Sequence, residues 1–179
     1  FAEAKDARMP GFGKTLYHFV SPLFKSSPDS TKRLIKAACL LHDVSWRAHP
    51  DYRSEVCFDN ATRANLGGLK HSERIFLGLA LLHRYRNKRQ GSQYKHLFEL
   101  LDEKGQNQAE ILGKAMRFGA MLMVSKDGDI GTLKWQPRKK QLHLTLPKSA
   151  EPLFGEVAIA RLQALLQSLD AELSIVIKN

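Results

Sequence analysis

The hydrophobic period of this chain changes once, and that change limits what it can fold into. From residue 13 to residue 123, apolar residues recur every three or four positions, the spacing of one face of an α-helix. Beyond Asp127-Gly128 the period becomes two. Leu133 and Trp135, then Leu142, Leu144 and Leu146, alternate with polar residues around a Pro137-Arg138-Lys139-Lys140 turn, which is the pattern of a β-hairpin. A helix over 153–169 and a strand over 173–177 follow. The expected fold is mostly α: a helical bundle at residues 1–128, then a small β-β-α-β unit at residues 129–179.

Within the helical part, Leu16, Tyr17, Val20, Leu23 and Phe24 define a first segment, and Pro28-Asp29-Ser30 ends it and caps the next. In that next helix Leu34, Ala38, Leu41 and His42 share one side, with Asp43 at its end. Residues 45–52, which include Pro50, form a loop. A helix over about 54–66 is closed by Gly67-Gly68. Ile75, Phe76, Leu79 and Leu82 mark a helix that runs into Arg84-Tyr85-Arg86-Asn87-Lys88-Arg89. Tyr94, Leu97, Phe98 and Leu101 mark another, and Ile111, Leu112, Ala115, Met116, Leu122 and Met123 a long one that stops at Asp127-Gly128. No stretch approaches the roughly 20 apolar residues of a membrane-crossing helix, and no signal peptide is visible. The chain opens on Phe1-Ala2-Glu3 without Met, so a processed protein or a piece of a longer one is expected.

Chemistry concentrates in two places. His42-Asp43 supplies an imidazole and a carboxylate side by side, a donor pair that can hold a divalent metal and activate water against a phosphate. Such a site needs further ligands, a His from an earlier helix and an Asp from a later one. The alternative is a packed His42 fixed by a local hydrogen bond, with Asp43 capping the turn. The second place is basic. Between Arg74 and Phe98 there is no acid, whereas Arg84, Arg86, Lys88 and Arg89 crowd together, and the loop adds Arg47, His49 and Arg53.

Guanidinium groups pair with phosphate oxygens in a fork geometry. The chain carries 28 Lys plus Arg against 18 Asp plus Glu, a net charge of +10 that favours a polyanionic partner. Arg47, His49, Arg53, Arg84, Arg86, Lys88 and Arg89 are therefore the candidate polyanion-binding residues. The expectation is that an up-and-down helical path brings the loop after His42-Asp43 beside the end of the 75–82 helix. Solvated surface charge, or internal pairs such as Arg53 with Glu55 or Asp51, is the alternative.

Other chemistries find little support. There is no Gly-x-Gly-x-x-Gly, no phosphate-binding P-loop and no cysteine pair at zinc spacing. Ser72 and Ser125 lack a triad context, and Asp127-Gly128-Asp129 is read as a turn because no Glu completes a calcium loop. Cys39 and Cys57 fall in apolar helical patterns, which reads as buried thiols in a reducing compartment and a cytoplasmic protein.

Pro22-Leu23-Phe24, the 34–41 run, Trp46-Arg47-Ala48-His49-Pro50-Asp51-Tyr52-Arg53 and Leu79-Ala80-Leu81-Leu82-His83-Arg84-Tyr85 resemble the C-terminal region of exopolyphosphatases of the Ppx/GppA phosphatase family, in the form seen in alphaproteobacterial members. The resemblance covers nearly the whole chain. It implies an HD-domain-like helical bundle, with hydrolysis carried out by N-terminal actin-like domains that use acidic residues, a phosphate loop and Mg²⁺. It also implies inorganic polyphosphate or guanosine pentaphosphate as substrate, and a C-terminal region that holds long chains and forms a homodimer. In an HD arrangement the early metal His falls near Phe12 and the late Asp near Ala120, so only His42 and Asp43 keep ligand chemistry. The reading is therefore a polyphosphate-binding region with no catalytic residue of its own. The rivals are an autonomous HD-type phosphohydrolase acting on nucleotides and a basic nucleic-acid-binding module.

Overall fold

The computed structural model describes residues 7–64, 67–88, 91–123 and 128–178. It is mostly helical, with a small mixed sheet near the C-terminus. The helices are α1 (Phe12–Val20), α2 (Asp29–Leu40), α3 (Arg53–Arg63), α4 (His71–Tyr85), the short α5 (Lys95–Phe98), α6 (Glu103–Gly119) and α7 (Glu156–Leu169). The strands are β1 (Thr132–Gln136), β2 (Gln141–Pro147) and β3 (Glu172–Lys178).

The central helix is α4. From Ile75 to Arg84 all its residues are buried, because α3, α6 and α2 pack around it. A helix that is apolar on every side has to be surrounded. Each fully buried Leu or Phe side chain contributes about 1.5–3 kcal/mol. The closest approach is to α6. A Cβ at Gly113 would overlap the His83 Cβ and the Ala80 carbonyl oxygen, so the two backbones meet at a spacing that only glycine permits. This contact fixes the last turn of α4, and with it the basic residues that follow.

The sheet follows the alternation read from the sequence. Leu142, Leu144 and Leu146 of β2 are buried, while β1 pairs with β2 antiparallel, Leu133 opposite Leu144. β2 then pairs with β3 in parallel, and α7 makes the crossover between them. One hydrophobic core runs from Phe12 in α1 to Leu165 in α7, so the change of architecture near residue 128 is not a break in the packing.

Several boundaries differ from the sequence expectation. α2 ends at Leu40, and His42 and Asp43 lie in consecutive turns, not on the helix. α6 begins at Glu103, where the Asp102 carboxylate accepts a hydrogen bond from the Gly105 amide at 2.7 Å, and it ends at Gly119. Residues 148–153 form 3₁₀ turns before α7 starts at Glu156. Leu66, Arg89, Ser125 and Asp127 lie outside the described residues.

Candidate functional site

His42 and Asp43 sit where α2 gives way to turns, beneath the N-terminal segment and beside the end of α4. The His42 ring is buried, with Nδ1 2.8 Å from the Cys39 carbonyl oxygen. A carbonyl only accepts, so Nδ1 carries the proton and Nε2 is the unprotonated nitrogen of the neutral ring. Phe12 meets that ring edge-on at 5.5 Å between centroids. Burial, then the nearby Arg84 charge, pushes the imidazole down to about 4, against an opposing pull from Asp43.

Asp43 is the charged member. Arg8 donates to it through Nε to Oδ2 at 2.9 Å and through a terminal guanidinium nitrogen to Oδ1 at 2.8 Å, a bidentate fork. The Arg8 backbone amide adds a contact at 3.3 Å. The Tyr85 hydroxyl lies 3.3 Å from Oδ1 and 3.1 Å from the His42 carbonyl oxygen, and Arg84 approaches Oδ1 at 3.8 Å. Burial opposes ionisation of this carboxyl. The Arg8 hydrogen bonds and the charges around it outweigh burial and hold the group below its ordinary value.

The divalent ion that an HD-type site would hold does not fit this pair. Both Asp43 oxygens are occupied by a guanidinium, and the ring packed edge-on against the imidazole is Phe12, which has no donor atom to offer a metal. Among the described residues, no group of three or more His, Cys, Asp or Glu side chains is placed to hold a metal.

The two basic segments do meet. The rings and guanidinium groups are gathered around Tyr85, with Arg84 lying over its ring at 4.7 Å and Arg53 at 5.4 Å. Arg53 does not pair with Asp51 or Glu55. Its Nε and one terminal nitrogen donate to the Ala48 carbonyl at 3.2 and 3.0 Å, which ties the loop to the start of α3. Arg86 crosses toward Glu55 of α3 at 3.8 Å and is partly exposed. Arg47 is exposed, with its guanidinium 5.2 Å from the Trp46 ring centre. His49 is exposed beside Asp51 at 3.6 Å and Tyr52, and Lys88 is exposed beyond the end of α4.

Arg84 is a correction. Its side chain is 5% exposed and it faces Asp43 from inside, so it is not a surface donor; helix periodicity placed Leu82, two positions earlier, in the core but gave no sign that Arg84 follows it. Arg8 is the residue that sequence reading missed. No local pattern links positions 8 and 43, and only the need of a buried carboxylate for a cation points to such a partner.

Among the described residues, no helix is long and apolar enough to cross a membrane. No curated protein matches the chain. Residues 17–176 match the family described as "Exopolyphosphatase, C-terminal", a span that takes in every element from within α1 to within β3. The chain belongs to the exopolyphosphatase C-terminal family.

Proposed function

We propose that this chain holds inorganic polyphosphate for an exopolyphosphatase and does not itself hydrolyse it. The observation that carries the reading is the pairing of the family match with a His-Asp turn whose carboxylate is already locked by Arg8. The turn then serves as the hub that positions a basic surface. Arg47, Arg53 and Arg86 lie on segments joined through Tyr85 and Glu55, with Lys88 continuing the row. Arg84 supports this surface from beneath. Arg89 belongs to the same sequence run but lies outside the described residues. In this reading the Mg²⁺-dependent chemistry belongs to the catalytic domains of the parent enzyme, which this region serves, and the region self-associates as a homodimer.

The test is a titration with long-chain polyphosphate over several salt concentrations. Arg47→Ala/Arg53→Ala and Arg86→Ala/Lys88→Ala are compared with Arg138→Ala/Lys139→Ala, an exposed pair on the β1–β2 turn. By analogy with nucleic acids, each lost phosphate contact lowers the salt slope by about one. Equal losses in all three variants would reduce the effect to net charge and remove the site. Metal-dependent turnover of polyphosphate or nucleotides that disappears in His42→Ala would instead establish the hydrolase reading. RNA binding as tight as polyphosphate binding at equal charge would favour a nucleic-acid module. Sedimentation equilibrium tests self-association, and a monomer at high concentration counts against it.

A further inference from the structure

A second basic feature lies away from the Tyr85 surface, where α6 and α7 pack together. The cleft between them has a volume of about 220 Å³, and Lys114, Arg117 and Arg161 line it, with Asn87 at one end. Lys114 and Arg117 are three residues apart on α6 and so share a face. On α7, Val157, Ala160, Arg161 and Ala164 follow the same helical spacing and line the cleft together. Among the described residues, none of those lining the cleft is acidic.

The charges here are crowded. Arg161 donates to the Arg117 carbonyl oxygen at 3.3 Å, so its guanidinium is held against α6. Lys114 is nearly buried and meets Glu110 at 2.7 Å. Behind the cleft stands the buried Arg84, whose Nε has no hydrogen-bond partner among the described residues. Burial first, then the charges of Arg117 and Arg84, pushes Arg161 down to about 10, and Arg117 is lowered by burial and by Arg84. Guanidinium groups remain protonated near neutral pH. The mutual repulsion is therefore not relieved by loss of a proton, and among the described residues the carboxylates that approach this cluster are already bound, Asp43 to Arg8 and Glu110 to Lys114.

We propose that the α6–α7 cleft is a binding site for a compact oxyanion of the phosphate class, held by the forks of Arg117 and Arg161, with the Glu110-paired Lys114 beside them. Guanidinium groups on facing helices, in a cleft whose lining includes no acidic residue among the described ones and beside which the Glu110 carboxylate is taken up by Lys114, suit a tetrahedral oxyanion, because charge-assisted hydrogen bonds gain strength as water is excluded. The ligand is either free orthophosphate or the end of a short phosphate chain. The proposal does not rest on the Tyr85 surface, since it uses different residues on different helices.

Isothermal titration of the whole chain with orthophosphate, tripolyphosphate and long-chain polyphosphate tests it, using Arg117→Gln, Arg161→Gln and Arg161→Lys. We expect saturable binding of orthophosphate or tripolyphosphate to the unmodified chain. Each Gln variant should weaken it about tenfold or more, a factor equal to about 1.4 kcal/mol. Arg161→Lys, which keeps charge but loses the fork, should fall between. Binding of orthophosphate identifies the free ion as ligand, and binding of tripolyphosphate alone identifies a chain end. Thermal unfolding is the second readout. In phosphate-free buffer the Gln variants should be as stable as the unmodified chain or more so, while losing the rise in melting temperature that phosphate produces. Arg47→Ala/Arg53→Ala should leave orthophosphate or tripolyphosphate binding intact, so the two sites fail separately. Absence of saturable binding of either short anion, or Gln variants that bind it unchanged, would overturn the proposal.

Discussion

Protonation of His42 should set the acid stability of this fold. The imidazole is buried and neutral, and its folded value lies near 4 against an ordinary 6.5. The sign follows from which state takes the proton first. As pH falls below about 6.5 the unfolded chain protonates its His42, while the folded chain resists until about 4. Stability is therefore unpenalised above the unfolded value, declines through this window as pH falls, and levels off below about 4. At about 1.4 kcal/mol for each pH unit, the full loss is about 3 kcal/mol, of which about 2 kcal/mol is gone by roughly pH 5.

His42→Gln isolates this contribution, because Gln can still donate to the Cys39 carbonyl and does not titrate. Urea unfolding of both proteins between pH 7 and pH 4 gives the difference in unfolding free energy at each pH. That difference should shrink by about 3 kcal/mol over the window. The other histidines cancel in the comparison. Asp43 stabilises while ionised: burial raises its carboxyl, but Arg8, His42 and Arg84 together hold it below its ordinary value, so its stabilising share is lost only as pH falls through that lower folded value. A difference that stays constant from pH 7 to pH 4.5 would refute the buried, neutral assignment of His42.

Arg8→Met should destabilise the fold by about 2 kcal/mol, less than the 3–5 kcal/mol typical of a fully buried pair because the Arg8 side chain is 40% exposed. Chemical denaturation measures it, and the double variant with Asp43→Leu should recover part of the loss. Gly113→Ala should cost about 1–3 kcal/mol by forcing α4 and α6 apart, and would also disturb Arg84; near-native stability would contradict the close helix contact. Cys39 and Cys57 are buried, and burial raises both thiols, the second to about 11. Neither should react with a thiol reagent at pH 8 until denaturant is added, and labelling of native protein within minutes would contradict that burial.

Much of the fold was legible because its signals are local. The switch from a period near 3.6 to a period of two located the sheet, and Leu142, Leu144 and Leu146 took the core face that alternation assigns them. Family resemblance gave the correct region from runs such as Trp46 to Arg53, and the family match covers residues 17–176. What sequence could not give was long-range. The Arg8–Asp43 fork spans 35 positions and the Tyr85–Asp43 contact 42, with no period connecting either pair. The same limit hid the α6–α7 cleft. Lys114 and Arg117 carry no signal of their own in the sequence, and only the crossover that lays α7 alongside brings Arg161 to them. Arg84 failed for another reason. Its place in a dense basic run suggested exposure, but the packing of α4 on every side decided its burial.

The net charge of +10 therefore overstates what a polyanion would meet at the Tyr85 surface. Those charges are spread over the whole molecule, and Arg84 is buried, facing Asp43. At the surface itself Arg53 has two donors turned to the Ala48 carbonyl, and Arg86 shares its charge with Glu55. Among the described residues, a chain passing over it meets Arg47, Lys88 and the outer parts of Arg53 and Arg86. At somewhat under one unit of slope per contact, the logarithm of polyphosphate affinity should fall against the logarithm of salt with a slope of about 3, not about 10. The slope is read from titrations between roughly 50 and 200 mM salt. A value near 10 would mean that the ligand senses the whole molecule's charge, and the localised surface would have to be given up.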